Sequence, residues 1–157
     1  MAEMITEQLK LNVNVDLREP TRGLTLLHIA AGSGYVDSVQ LLLSSGAQRD
    51  LGDQQGRLAM HHGAGSGSAQ VIECLLADRR ARATMNRQDK DGRTPLHHAA
   101  YSGVQAVVDR LLEAGADTDL EDKEGFFPLS DVRDGHHPQR QMAYGLRVQH
   151  DDTIALY

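Results

Sequence analysis

Histidine is the residue type with the widest chemical reach in this chain, and it comes in pairs: His61-His62, His97-His98 and His136-His137, with a single His28 before them. A zinc ion needs four ligands at about 2.0–2.3 Å. His28, His61 and His97 recur at steps of 33 and 36 residues, so they hold equivalent places in successive units. Units built from packed helices put equivalent atoms about 8–10 Å apart, so these three cannot share a metal. His62 and His98 stand where the first unit has Ile29, and are expected to face a partner or water. His136-His137 with Asp134 reads as a loose surface cluster. No metal and no cofactor is expected.

Other reactive types lead to no active site either. Ser33, Ser66 and Ser102 each precede a glycine at the same period, and a catalytic serine would not be triplicated. Gly63-Ala64-Gly65-Ser66-Gly67-Ser68 has the glycines of a phosphate loop but lacks its closing Lys-Ser/Thr and a preceding strand. Asp151-Asp152 lies in an acidic tail without a pocket to tune it. Cys74 is the one cysteine, so no internal disulfide exists, and its apolar neighbours Val71, Leu75 and Leu76 make it a packing thiol. Arg79, Arg80 and Arg82, with Arg87 nearby, have two readings. They complement the C-terminal dipole of a helix, the reading adopted, or they form a docking or nuclear-import patch. The chain is expected not to be an enzyme.

The elements that carry these residues are clearest over 89–119, DKDGRTPLHHAAYSGVQAVVDRLLEAGADTD. Asp91-Gly92 is a turn signal, since Gly accepts a positive φ. Thr94 is placed to cap a helix that Pro95 begins, and Leu96, Ala99 and Ala100 form its apolar stripe. Ser102-Gly103 ends it. A second helix presents Val104, Val107, Val108, Leu111 and Leu112 on one face and stops at Gly115. Two such short helices cannot bury their inner face alone.

Neighbours are supplied by repetition. Gly23, Gly56, Gly92 and Gly125 open the same pattern at steps of 33, 36 and 33 residues. With Thr94-Pro95-Leu96-His97-His98-Ala99-Ala100, then Gly103, Leu111-Leu112 and Gly115-Ala116-Asp117, the chain resembles the ankyrin repeat family. The resemblance implies an all-α fold, an α-solenoid of helix-turn-helix units joined by hairpin-like loops. It divides the chain into a capping half repeat (1–17), repeat 1 (18–52), repeat 2 with a three-residue insertion (53–88), repeat 3 (89–121), a degenerate closing repeat (122–144) and a tail (145–157).

The units differ in quality. Residues 1–11 read as an amphipathic helix, with Met1, Met4, Ile5 and Leu9 on one face. Repeat 1 has Leu26 where the family has Pro. Repeat 2 has Leu58-Ala59 for Thr-Pro and so lacks a capping hydroxyl, a loss worth ~1 kcal/mol. Gly63, Gly65 and Gly67 are expected to weaken its first helix by up to ~1 kcal/mol each. Its insertion, within Ala77 to Arg82, is expected to lengthen its second helix by most of a turn. Repeat 2 should be the soft unit and repeat 3 the nucleus of folding. The closing unit decays after Phe126-Phe127-Pro128-Leu129, with Ser130 in the histidine position and Val132-Arg133 in place of Ala-Ala.

The net charge of −6 argues against nucleic-acid binding through a basic surface. No run of 18 apolar residues exists, and residues 1–10 lack the core of a signal peptide, so an intracellular monomer is expected, cytoplasmic or nuclear, without a membrane partner. The resemblance implies a protein-interaction module, an adaptor, scaffold or inhibitor, that uses hairpin tips and the exposed side of the first helices as a concave groove. Carried over residue by residue, the partner-binding set is Arg22, Leu24, Gln55, Arg57, Ser66, Lys90, Arg93, Tyr101, Ser102 and Phe126. The tips carry Arg22, Arg57, Lys90, Arg93 and Lys123 against Asp91 and Glu124, which suggests a partner with acidic groups near Arg57 and Arg93 and an apolar side chain near Tyr101 and Phe126. The alternative is a non-catalytic ankyrin fragment of a larger enzyme such as a kinase, ubiquitin ligase or acyltransferase.

Overall fold

The computed structural model describes residues 3, 4, 6, 7 and 14–129. Over described residues 14–129, six α-helices fall in three pairs: α1 Leu26–Gly32 with α2 Val36–Ser44, α3 Ala59–Ser66 with α4 Ala69–Leu76, and α5 Pro95–Ser102 with α6 Gln105–Glu113. A short 3-10 helix, Arg79–Ala83, follows α4. Among the described residues there is no strand, and the chain is an all-α solenoid of stacked repeats. Inner helices α1, α3 and α5 pack in one layer, and outer helices α2, α4 and α6 in a second. Residues 3, 4, 6 and 7 are helical, with Met4 exposed.

The core lies between the layers and follows the sequence stripes. Leu27, Ala30 and Ala31 of α1, Met60 and Ala64 of α3, and Leu96 and Ala99 of α5 meet Val39, Leu42, Val71, Ile72, Leu75, Val107, Val108 and Leu111 of the outer helices. The inner contribution is mostly small, so the two helices of a pair approach closely. Helices this short are unstable in isolation, and burial against neighbours is what holds them.

Loops between repeats stack through the backbone. Asp53, Asp89 and Asp122 each close a tight hairpin, donating their N–H to the carbonyls of Arg57, Arg93 and Phe126 at 2.9, 2.9 and 2.8 Å. Each hairpin then bonds to the one before it: Gln54 N–H to the Arg22 carbonyl, Lys90 N–H to Gln55, Lys123 N–H to Asp91, at 2.9, 2.8 and 2.9 Å. Gly92 shows why the turn needs glycine. Its φ is +77°, and a Cβ there would stand 2.8 Å from the Lys123 nitrogen that makes this bond.

Four local expectations are revised. Thr94 does not cap orphan N–H groups with its hydroxyl; it bonds to His97, as Thr25 does to His28. The insertion in repeat 2 does not extend α4, which ends at Leu76. Asp78 takes an extended conformation and accepts the Arg80 N–H at 3.1 Å, starting a separate 3-10 helix whose Ala81 is buried in the core. Of the three glycines of repeat 2, only Gly65 is without a structural role: Gly67 is the left-handed cap of α3, and a Cβ on Gly63 would lie 2.9 Å from Val71 Cγ1. Cys74 is half-buried rather than buried, and takes a 3.5 Å hydrogen bond from Gln40 on the preceding repeat.

Candidate functional site

The repeat period sets residues of successive units side by side across the inner-helix layer. After the hairpin glycines come Leu24, Arg57, Arg93 and Phe126. On the helices stand Ile29, His62 and His98, then Gly32, Gly65 and Tyr101, then Ser33, Ser66 and Ser102. Of the expected partner-binding set, Arg22, Gln55, Ser66, Lys90 and Tyr101 are exposed, while Arg57, Arg93, Ser102 and Phe126 are half-buried. Leu24 is only 6% exposed; its side chain belongs to the interior and leaves the set. Tyr101 is the most exposed of these apolar surfaces, at 60%. The serines are tied down: Ser66 Oγ donates to the Gly63 carbonyl at 2.8 Å and Ser102 Oγ to Ala99 at 2.7 Å.

Beneath this face run two interleaved sets of histidines. The first set, His28, His61 and His97, is buried. In each, Nδ1 accepts the backbone N–H three residues earlier, from Thr25, Leu58 and Thr94, at 3.0 Å. Nε2–H then donates to a carbonyl in the next repeat: Arg57 at 3.1 Å, Arg93 at 3.1 Å and Phe126 at 3.0 Å. A carbonyl only accepts, so these bonds select the neutral tautomer with the proton on Nε2. Burial agrees, since it disfavours the charged form: it pushes all three below the ordinary imidazole range, His61 to about 4.

The second set, His62 and His98, faces the groove, but each imidazole is already engaged. Nε2 of His62 bonds Asp53 Oδ2 and that of His98 bonds Asp89 Oδ2, both at 2.9 Å. The other carboxylate oxygen closes the hairpin, accepting the N–H groups of Gln55 and Arg57 on Asp53, and of Asp91 and Arg93 on Asp89. Burial alone would raise both carboxyls, yet these hydrogen bonds outweigh it. Asp53 falls below the usual range and Asp89 falls to about 2. The rings also stack edge-on with the first set, His28 on His62 and His61 on His98, with centroids 5.4 Å apart in each pair. The signal was in the sequence: Asp53 to His62 and Asp89 to His98 are the same nine-residue step.

The same carboxylates change the electrostatic picture. The surplus of three positive charges at the hairpin tips is cancelled by Asp53, Asp89 and Asp122 directly below them. Arg57 Nε pairs with Asp53 at 3.1 Å, and Arg93 pairs with Asp122 at 3.4 Å and Glu124 at 3.3 Å. Arg93 therefore joins repeat 3 to the closing hairpin. Between the rows lies an open cleft of about 230 Å³, lined by Gly32, Arg57, His61, His62, Gly65, Ser66 and His98.

Away from the groove, Arg79, Arg80, Arg82 and Arg87 are exposed and make no ion pair among the described residues. They follow the end of α4, and Arg80 and Arg82 stand in the last turn of the 3-10 helix, where cations complement a helix dipole. Among the described residues no group of three or more His, Cys, Asp or Glu is arranged to hold a metal, and no helix is long and apolar enough to cross a membrane. The Asp134–His136–His137 cluster, Ser130, Val132-Arg133, Asp151-Asp152 and the tail from 145 lie outside the described residues.

Comparison with protein families agrees with this architecture. Residues 1–87 match a family model described as "Ankyrin repeats (3 copies)", and residues 91–123 match one described as "Ankyrin repeat".

Proposed function

This chain belongs to the ankyrin repeat family, and from that premise we propose that it is an adaptor, scaffold or inhibitor that holds a segment of a partner protein across its inner-helix groove. Ankyrin repeats are in general protein-interaction modules, and the coarse reading follows from that alone. The finer one rests on the register of the face. Arg57 lines the open polar cleft, repeat 3 adds exposed Tyr101 and half-buried Arg93, and the closing hairpin adds half-buried Phe126. Aromatic and arginine side chains carry much of the energy of protein interfaces. The partner segment lays an acidic group near Arg57 and Arg93 and an apolar side chain against Tyr101 and Phe126.

The test is proximity labelling and pull-down with wild type, Arg57→Glu/Arg93→Glu and Tyr101→Ser side by side. Arg57 and Arg93 also brace hairpins, so helicity and urea midpoint of each variant are compared first. A protein recovered with wild type and reduced more than tenfold by both variants, at unchanged helicity, supports the groove. Equal recovery by all three moves the binding face elsewhere.

A further inference from the structure

Two residues of the groove are glycine for no reason that the fold supplies. Gly65 lies on α3, its φ is not positive, and a Cβ there would meet nothing within 4 Å. Gly32, its counterpart on α1, would bring a Cβ only into ordinary contact, 3.6 Å from His62 Cβ and 3.7 Å from Nδ1. The third member of the row is Tyr101, so the position accepts the largest side chains. Helical glycine is unfavourable by about 1 kcal/mol against alanine. What the two absent side chains do is keep open the cleft that runs between His62, His98 and Arg57.

The charges around this cleft are unequal in their exposure. Asp53 and Asp89 have side chains only 1% and 3% exposed, and each is covered on its outer oxygen by the imidazole of His62 or His98. Arg57 has a side chain 33% exposed; its Nε is held by Asp53, while its two terminal nitrogens have no partner among the described residues. Arg93, by contrast, has a terminal nitrogen bound to Glu124. The cleft thus offers an oriented guanidinium with its outer edge free and hides its carboxylates behind rings. A guanidinium edge matches a carboxylate with two parallel hydrogen bonds.

We infer that this cleft seats the carboxylate of one Asp or Glu side chain of the partner segment, on the terminal nitrogens of Arg57 and over Gly32 and Gly65. The inference rests on the reading of the groove as the binding face, and adds the seat and the class of side chain that enters it. Tyr101, one repeat further on, closes the end of the glycine row and sets where the acidic group stops.

The experiment uses the full chain and a displayed library of random dodecapeptides as the probe. An enriched peptide is then synthesised with each acidic residue changed to its amide, and bound to wild type, Arg57→Gln, Gly65→Tyr, Arg93→Gln, Tyr101→Ser, and Arg79→Gln/Arg82→Gln as a control outside the groove. The expected result is one Asp or Glu whose amide weakens binding to wild type at least tenfold but less than twofold in Arg57→Gln. Gly65→Tyr, which copies repeat 3, should weaken binding at least tenfold with helicity and urea midpoint no lower than wild type, and the control should bind like wild type. If peptides depend on Tyr101 and Arg93 yet bind Gly65→Tyr as tightly as wild type, the groove reading stands and the seat is wrong. Peptides indifferent to all groove variants, enriched peptides without an acidic residue, or no enrichment over heat-unfolded protein overturn the seat.

Discussion

At the scale of single residues, the chain places ionisable groups where they must remain neutral. His61 is held at about 4, against an ordinary value of 6.5, because it is buried and lies against His98; these outweigh the Arg93 carbonyl and Asp89, which act the other way. The unfolded chain therefore takes up a proton below pH 6.5 that the folded chain refuses until about pH 4. Stability is full above the unfolded value and falls as pH drops from 6.5 to 4, by on the order of 3 kcal/mol for this residue. His28 and His97 act in the same direction. Asp89, lowered to about 2, gives stability that is full above the ordinary carboxyl value of 3.8 and is lost only as pH falls from there towards 2, so the two windows separate. Urea unfolding at pH 7.5 and pH 4.5 should show the loss. His61→Gln should be less stable at pH 7.5 but lose less on acidification. A wild-type midpoint that does not move between these pH values, or a variant that loses as much as wild type, contradicts the account.

The residue scale is also where sequence reading was least complete. The equivalence of His28, His61 and His97 is legible in their period, because equivalent positions in a stack have equivalent neighbours. The Asp53–His62 and Asp89–His98 pairs are not legible from periodicity, because a step of nine residues belongs to no helical or strand period. It arises from the hairpin folding back over the first turn of the inner helix. The charge balance of the tips is hidden in the sequence for a related reason: the aspartates that neutralise them start the turns and lie buried below.

At the scale of elements, repeat 2 shows how far local propensity is overridden by packing. Counting glycines makes α3 a weak helix. Its pairing with α4 is nonetheless tight where Gly63 stands: an added Cβ would be 2.9 Å from Val71 Cγ1 and 3.5 Å from Ile72 Cδ1. Repeat 3 carries Ala99 at the equivalent place, over Val107, so the spacing of each helix pair is matched to its own residue. Gly63→Ala should then destabilise by about 1–2 kcal/mol, overpacking outweighing the gain in helix propensity. Gly65→Ala, with open space around it, should stabilise by up to about 1 kcal/mol. Urea midpoints of the two variants, two positions apart on one helix, should shift in opposite directions; shifts of the same sign would mean that propensity, not inter-helix distance, governs α3. The extra residues after α4 carry the same lesson. Their number was readable, but their conformation was decided by Asp78, whose carboxylate caps a new turn, and by Ala81, which needs a place in the core.

At the scale of the whole molecule, the repeats are coupled by a small set of like contacts at each junction, so stability should be a sum of unit and interface terms. The junction of repeats 2 and 3 has the His61–Arg93 and Lys90–Gln55 bonds and the densely packed α3–α5 contact. The junction of repeat 3 with the closing hairpin has the matching His97–Phe126 and Lys123–Asp91 bonds. It adds Arg93 on Asp122 and Glu124, and Gln88 bonded to the Glu121 carbonyl at 2.7 Å. Breaking one histidine link leaves the buried N–H of Leu58 or Thr94 unpaired and takes one of two hydrogen bonds from the Arg93 or Phe126 carbonyl, at a cost of roughly 1–3 kcal/mol at either junction. The consequence differs with position. Beyond the His97 link the described residues hold a single hairpin, so His97→Ala should release residues 121–129 to rapid amide exchange while repeats 1 to 3 keep their protection. His61 sits between two halves of comparable size, so His61→Ala should lower protection across the inner and outer helices of repeats 2 and 3 together and move the global midpoint. Peptide-resolved hydrogen exchange on the two variants reads this directly. Loss confined to the neighbourhood of the substitution in both would mean that the array opens unit by unit, with the histidine links acting locally. Loss spread over all helices in both would mean that the hairpins and helices form one cooperative block, in which no junction is weaker than the rest.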